Sequence, residues 1–283
     1  METVIARARA RGGQAVVYTF DPHPRKVLQP DRAPGLLTTL QQKLEALEAL
    51  GVDVVIVERF DAEFAAIPPE DFVRRYIHER IRPLEVYVGY DFHFGKEREG
   101  SMNLLTELGP HLGFSVTIVP EVTVEGRDVN STRIRALLAE GAVEEAAALL
   151  GRSYTVRGRV VQGDRRGRDL GFPTANLDPE NEILPRAGVY ASWVRVLEHD
   201  ALSPQTRFAA VANVGRRPTF GAGDRLLAEA HLLDFEGDLY GARVDLCFEA
   251  RLRDERRFPG AQALREQIAA DAAEARRRLG SGE

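Results

Sequence analysis

The stretch Val156-Arg157-Gly158-Arg159-Val160-Val161-Gln162-Gly163-Asp164-Arg165-Arg166-Gly167-Arg168-Asp169-Leu170-Gly171-Phe172-Pro173-Thr174-Ala175-Asn176-Leu177 marks a change of character in the chain. Residues 156–161 alternate as a strand does. With 190–196 and 244–248 they form a series separated by turns and carrying little helix, which predicts a small antiparallel β-barrel. The Gly/Arg-rich loop that follows the first of these strands has the makings of a phosphate site. Glycines let backbone N–H groups approach phosphate oxygens, arginines neutralise their charge, and a hydroxyl beside a carboxamide, Thr174 and Asn176, can hold a hydrated magnesium ion. Pro173 fixes the backbone that presents them. The reading is that of an ATP user.

Working outward toward the N-terminus, short β-branched runs alternate with amphipathic helical patterns from residue 15 to 120, the rhythm of a parallel α/β sheet. Ala15-Val16-Val17-Tyr18-Thr19-Phe20 reads as a strand. Residues 39–50 read as a helix with Thr39 and Gln42 at capping-box spacing, Leu40, Leu44 and Leu47 on one face, and Gly51 at its end. Strands at 52–57, 85–88 and 114–119 alternate with a proline-opened helix at 69–80 and a helix at 102–112 interrupted near Gly109-Pro110. Further helices begin at Ser131 and at Val143. Toward the C-terminus, 261–279 reads as one amphipathic helix, with Leu264, Ile268 and Ala272 spaced to pack on the barrel. Two domains are expected: a parallel α/β, Rossmann-like domain at 1–150 and a β-barrel domain with its terminal helix at 153–283.

Composition narrows the partners. The chain has 283 residues, 44% hydrophobic and 29% charged, with net charge -5, which argues against bulk nucleic-acid binding. No apolar run is long enough to span a bilayer and no signal segment opens the chain, so the expected location is cytoplasmic. Cys247, in an apolar run, reads as a buried structural thiol. The only lysines are Lys26, Lys43 and Lys96. Phosphate chemistry in the second half therefore uses neither a P-loop lysine nor a protein-kinase strand lysine, and rests on arginine, backbone and metal.

Motifs spread over nearly the whole chain then come together. They are Thr19-Phe20-Asp21-Pro22-His23-Pro24, Val88-Gly89-Tyr90-Asp91-Phe92-His93-Phe94-Gly95, Ser131-Thr132-Arg133-Ile134-Arg135, Gly171-Phe172-Pro173-Thr174-Ala175-Asn176, Ala212-Asn213-Val214-Gly215-Arg216-Arg217-Pro218-Thr219-Phe220, Glu229-Ala230-His231-Leu232-Leu233-Asp234-Phe235 and Arg251-Leu252-Arg253-Asp254-Glu255. In these the chain resembles the prokaryotic bifunctional riboflavin kinase and FMN adenylyltransferase, or FAD synthetase, family. The resemblance implies that the second half makes FMN from riboflavin and MgATP, and that the first half in the full family pattern makes FAD from FMN and ATP.

It also implies roles. Gly163, Arg168 and Gly171 shape the kinase phosphate loop, Thr174 and Asn176 hold Mg2+ and nucleotide phosphates, Glu229 is the general base on the flavin hydroxyl, and Arg253, with Arg251 and Asp254, closes over flavin or ADP, the plainer alternative for these three being a solvated run of charge. Asp21, His23, Pro24, Gly89, Asp91 and Phe92 line a flavin and nucleotide pocket, while Ser131, Thr132, Arg133 and Arg135 bind phosphate at a helix start. The plainer alternatives are a rigid turn for 21–24, core packing for Phe92, helix caps for Ser131 and Thr132, turn residues for Thr174 and Asn176, and a loop-shaping role for Asn213. Neither nucleic acid nor membrane is an implied partner.

One departure stands out: the family's His-x-Gly-His turn is absent from these 283 residues. Those histidines stabilise charge developing on the triphosphate, so adenylyl transfer is expected to lose most of its rate. The family strand before that turn would lie centrally in the sheet, and its loss is expected to leave strand edges unpaired; a late start or a truncated chain is the accompanying expectation. A second reading keeps the kinase and makes the first half a non-catalytic flavin-binding or assembly platform.

Overall fold

The structure, a computed structural model, describes residues 1–162, 172–217 and 225–280. It divides into two compact units, Met1–Gly35 with Leu40–Thr123 and Leu36–Thr39 with Val124–Glu283. The domain division expected at 150/153 thus differs from the division into compact units. Residues 124–150 belong with the barrel because Ile134, Leu138, Val143, Ala146 and Leu149 are buried in the barrel's own apolar cluster.

The first unit opens with α1 (Glu2–Ala10), then β1 (Val16–Asp21), α2 (Pro24–Leu28), α3 (Leu40–Ala49) and β2 (Val54–Arg59). Helix α3 ends at Gly51, whose φ of 88° is the left-handed conformation that glycine adopts without penalty. The 69–80 segment begins as an α-helical turn at Pro69–Asp71 and continues at Phe72–Glu79 with the wider turns of a π-helix, which the sequence period did not reveal. Then come β3 (Glu85–Gly89), α4 (Met102–His111) and β4 (Ser115–Val119). The interruption expected near Gly109-Pro110 does not occur, because Pro110 falls in the last turn and the helix runs through it.

All four strands are parallel in their pairs, yet they form two separate two-stranded sheets, β1 with β2 and β3 with β4. Tyr18 and Phe20 of β1 and Val86 and Val88 of β3 nevertheless pack on one aromatic cluster around Phe72, Phe94 and Phe114. Among the described residues each strand is hydrogen-bonded on one side only, in keeping with the expectation of unpaired edges.

At the boundary between the units lies the short strand β5 (Thr123–Val124), followed in the second unit by β6 (Arg127–Asp128), α5 (Ser131–Glu140) and α6 (Val143–Leu150). Next are β7 (Tyr154–Val161), β8 (Thr174–Pro179), β9 (Gly188–Glu198), β10 (Arg207–Arg217), β11 (Arg225–Leu232) and β12 (Arg243–Arg253). These six close into a barrel in the order β10-β11-β8-β7-β12-β9, with antiparallel pairing throughout.

Alternation sorts the strands' side chains into two layers. Val156, Leu177, Tyr190, Ala212, Ala228, Ala230 and Phe248 fill the interior. Val189, Ala191, Val211, Leu233 and Ala250 point outward and are covered by Ala272, Ala275 and Leu279 of α7 (Ala261–Leu279). Leu264 and Ile268, expected at that contact, are only half-buried, while Ala272 is buried as expected. The helix is also tied by charge: Arg253 grips the buried Asp271 through Nη2 at 2.7 Å and Nε at 3.0 Å.

Candidate functional site

Strands β8 and β11 build the centre of the site. Their register sets Asn176 opposite Glu229 and Thr174 opposite His231, while Glu229 is also opposite Asn213 on β10. Directly opposed residues of an antiparallel pair project on the same face. Because Ala228 and Ala230 point inward, Thr174, Asn176, Asn213, Glu229 and His231 all stand on the outer face, each half-buried. The plainer reading of Asn213 as a loop residue is corrected here, since it lies within β10 beside the carboxylate. The sequence alternation that marks Glu229 as a polar residue in an apolar strand is thus the alternation that delivers it to this face.

A cavity of about 750 Å3 opens beside Thr174, lined by Phe172, Pro173, His231, Leu233, Phe235, Ala272 and Arg276, among others. His231 Nδ1 donates to the Pro173 carbonyl at 2.9 Å, and its ring meets Phe172 edge-on at 5.3 Å. This pins the Phe172-Pro173 segment, and with it the approach to Thr174, onto β11. Arg276 donates to Asp234 at 2.9 Å and holds that carboxyl below its ordinary value. The cavity walls went unassigned in the sequence. His231 carried a signal, two residues after Glu229 on one face, whereas Arg276 lies 42 positions beyond Asp234 in the chain and carried none.

Three kinase positions, Gly163, Arg168 and Gly171, lie outside the described residues, as do Pro218, Thr219 and Phe220. Arg253 is described, and its guanidinium is committed to Asp271, to the Asp254 carbonyl and to the ring of Phe258. It anchors the terminal helix at the end of β12. Beside the outer-face row, Glu255 Oε1 accepts from Asn213 Nδ2 at 3.4 Å. Cys247 is a half-buried free thiol whose pKa is raised chiefly by burial.

In the second unit Asn130 caps α5, its Oδ1 accepting from Arg133 N at 2.9 Å. Ser131, Thr132 and Arg133 are therefore the exposed first residues of the helix, with Arg135 half-buried a turn later. In the first unit Asp21 ends β1 and is exposed. His23 caps α2 by accepting from Arg25 N through Nδ1 at 3.2 Å, and Pro24 takes the first helical position. Gly89 closes β3, its carbonyl accepting from Phe92 N at 3.1 Å; Phe92 stacks on Phe94, and Asp91 remains exposed. The turn and core readings of these residues are thus realised in the fold, and both leave Asp21 and Asp91 open to solvent.

No group of three His, Cys, Asp or Glu side chains suited to a metal ion occurs among the described residues. The oxygen donors of Thr174 and Asn176 fit magnesium, which keeps several waters and takes much of its charge balance from substrate phosphates. No described helix is long and apolar enough to cross a membrane.

The row of Thr174, Asn176 and Glu229 on a closed barrel, in one chain with a parallel α/β unit, has the donor set expected of a phosphate-transferring enzyme. Comparison with known proteins specifies which. The riboflavin kinase family model matches residues 150–279 and the FAD synthetase model residues 1–133. Bifunctional riboflavin kinase/FMN adenylyltransferase from Escherichia coli (strain K12) is 39% identical over 272 residues, spanning 96% of this chain and 85% of the relative. The enzyme of the same name from Bacillus subtilis (strain 168) is 36% identical over 273 residues, spanning 95% and 83%. A solved structure described as a macrolide-efflux protein from Streptococcus pneumoniae shares the fold, with a TM-score of 0.83 and 30% identity over 96% of this chain and 86% of its own. The chain belongs to the bifunctional riboflavin kinase/FMN adenylyltransferase family. Both of the family's models match, which favours the two-activity reading over a kinase carrying a non-catalytic platform.

Proposed function

We propose that the barrel phosphorylates riboflavin with ATP and that Glu229 is the base. The observation that carries this is the outer-face row in which Glu229 stands between Asn176 and Asn213, one rung from Thr174 and His231. With the nucleoside in the cavity, the triphosphate extends past Pro173 to Thr174 and Asn176. The riboflavin 5′-hydroxyl meets Glu229. As its oxygen forms a bond to the γ-phosphorus, the bond from that phosphorus to the ADP oxygen breaks and the hydroxyl proton passes to a Glu229 carboxylate oxygen. Thr174 and Asn176 supply position rather than covalent chemistry. The Thr174 hydroxyl and Asn176 carboxamide would hold magnesium, which would supply charge neutralisation for the phosphates. Gly163, Arg168 and Gly171 complete the phosphate cradle by family likeness, and Arg253 acts on flavin indirectly, by fixing the end of β12.

The α/β unit, with Asp21, His23, Pro24, Gly89, Asp91 and Phe92, is assigned to FMN and ATP, and Ser131, Thr132, Arg133 and Arg135 to phosphate. By family likeness the activity of this unit is the adenylylation of FMN to FAD. Both activities consume ATP, which supports a cytoplasmic location. The assignment of Glu229 is tested by Glu229→Gln: kcat for FMN falls by about 10²–10⁴, the usual worth of a general base, while ATP affinity stays within a few-fold. Unchanged kcat removes Glu229 from the role.

A further inference from the structure

Lys43 is one of only three lysines in the chain, and the role of the first unit as read above leaves it unused. It is the fourth residue of α3 and half-buried, and its Nζ donates to Thr19 Oγ1 at 3.3 Å. No carboxylate among the described residues forms an ion pair with it. Its ammonium, bonded to one neutral hydroxyl, gains no counter-charge to offset the partial burial of the side chain. Its position in the helix adds to the cost, since a cation near the start of a helix faces the positive end of the backbone dipole. Lys43 is therefore poorly explained as a stabilising residue, and a local rule broken in this way marks a functional position.

Its surroundings say which function. Thr19 and Asp21 are two apart on β1 and so share a face, the one opposite to that on which Tyr18 and Phe20 enter the aromatic cluster. Lys43 thus reaches the face that carries Asp21, at the carboxyl end of a parallel strand and directly ahead of Pro22, His23 and Pro24. Ligands of open parallel sheets bind outside the carboxyl ends of the strands.

We infer that Lys43, held by the Thr19 hydroxyl, is a phosphate-binding residue of the first unit and takes the phosphate of FMN or the triphosphate of ATP as its missing counter-charge. This rests on the reading of that unit as the FMN and ATP site. The lysines make a selective test. All three lie in the first unit, so acetylation of the native full chain with acetic anhydride, read by peptide mass spectrometry, reports on that unit whatever the barrel binds. Labelling is compared without ligand and with FMN, with MgATP and with riboflavin, which has the flavin but no phosphate.

The expected result is at least tenfold slower labelling of Lys43 with FMN or with MgATP, whichever supplies the phosphate, and no slowing with riboflavin. Lys96 serves as the internal reference. Thr19→Val, which keeps the charge and removes its tether, should lose most of that protection. Equal labelling of Lys43 in all four samples, or equal protection by riboflavin, overturns the proposal. FAD measured in a parallel incubation with FMN and MgATP together separates it from the reading beneath it: FAD formed there, with no Lys43 protection by either ligand, removes the lysine's role alone, whereas protection without FAD keeps the phosphate site and removes the transfer activity.

Discussion

Glu229 and Asp271 are both carboxylates of the barrel unit, and their surroundings give them opposite work. Asp271 is 5% exposed and receives Arg253 through both Nε and Nη2 together with Gln267 Nε2 at 2.7 Å, so its lone pairs are spent on structure. Removing it leaves a largely buried guanidinium without its partner. Asp271→Ala should destabilise the barrel unit by about 3 kcal/mol, measured by urea unfolding. Glu229 stands instead on the face beside the cavity. Alternation within the apolar run from Leu226 to Leu233 was enough to show that a carboxylate here faces away from the core. Sequence could not show that Asn213 would lie opposite it, because that pairing depends on the register of two strands whose connection lies outside the described residues.

At the scale of elements, β7 and β8 show how tightly the barrel constrains its backbone. Gly158 lies opposite Pro179, and a Cβ there would overlap the Asp178 carbonyl. Gly158→Ala should therefore cost about 1–3 kcal/mol as an overpacking change, again read from the unfolding midpoint; an unchanged midpoint would mean that the two strands sit further apart. The first unit makes a different prediction. Helix α1 is tied to β3 by Arg7, whose Nη2 and Nε donate to Glu85 at 2.6 and 3.1 Å. That guanidinium, with the Tyr87 hydroxyl, lowers the Glu85 carboxyl from its ordinary 4.5 to about 2.

A depressed carboxyl pKa contributes stability that is present above the unfolded value and lost as pH falls through the folded one. Attachment of α1 should thus weaken between about pH 4.5 and about pH 2, seen as faster amide exchange in residues 2–10, and Glu85→Gln should abolish that dependence. The strands themselves were legible in the sequence as short β-branched runs, and so was their parallel rhythm. Their division into two pairs was foreseen only as unpaired edges. The wide turns of Phe72–Glu79 were not foreseen at all, because apolar spacing in an eight-residue segment does not separate a period of 3.6 from a slightly longer one.

For the molecule as a whole, two units of unlike construction should differ in stability. Among the described residues the barrel closes on itself and has no free edge, while the strands of the first unit are bonded on one side only. Amides of β1 to β4 should exchange faster than those of β7 to β12, and equal protection would contradict the open pairing. The most direct test is to incubate the 283-residue chain, and its Glu229→Gln variant, with riboflavin and MgATP and to separate the flavins by chromatography. The account predicts FMN from the unmodified chain and FMN reduced at least a hundredfold in the variant. Absence of FMN from the unmodified chain, or equal FMN from both, would contradict it.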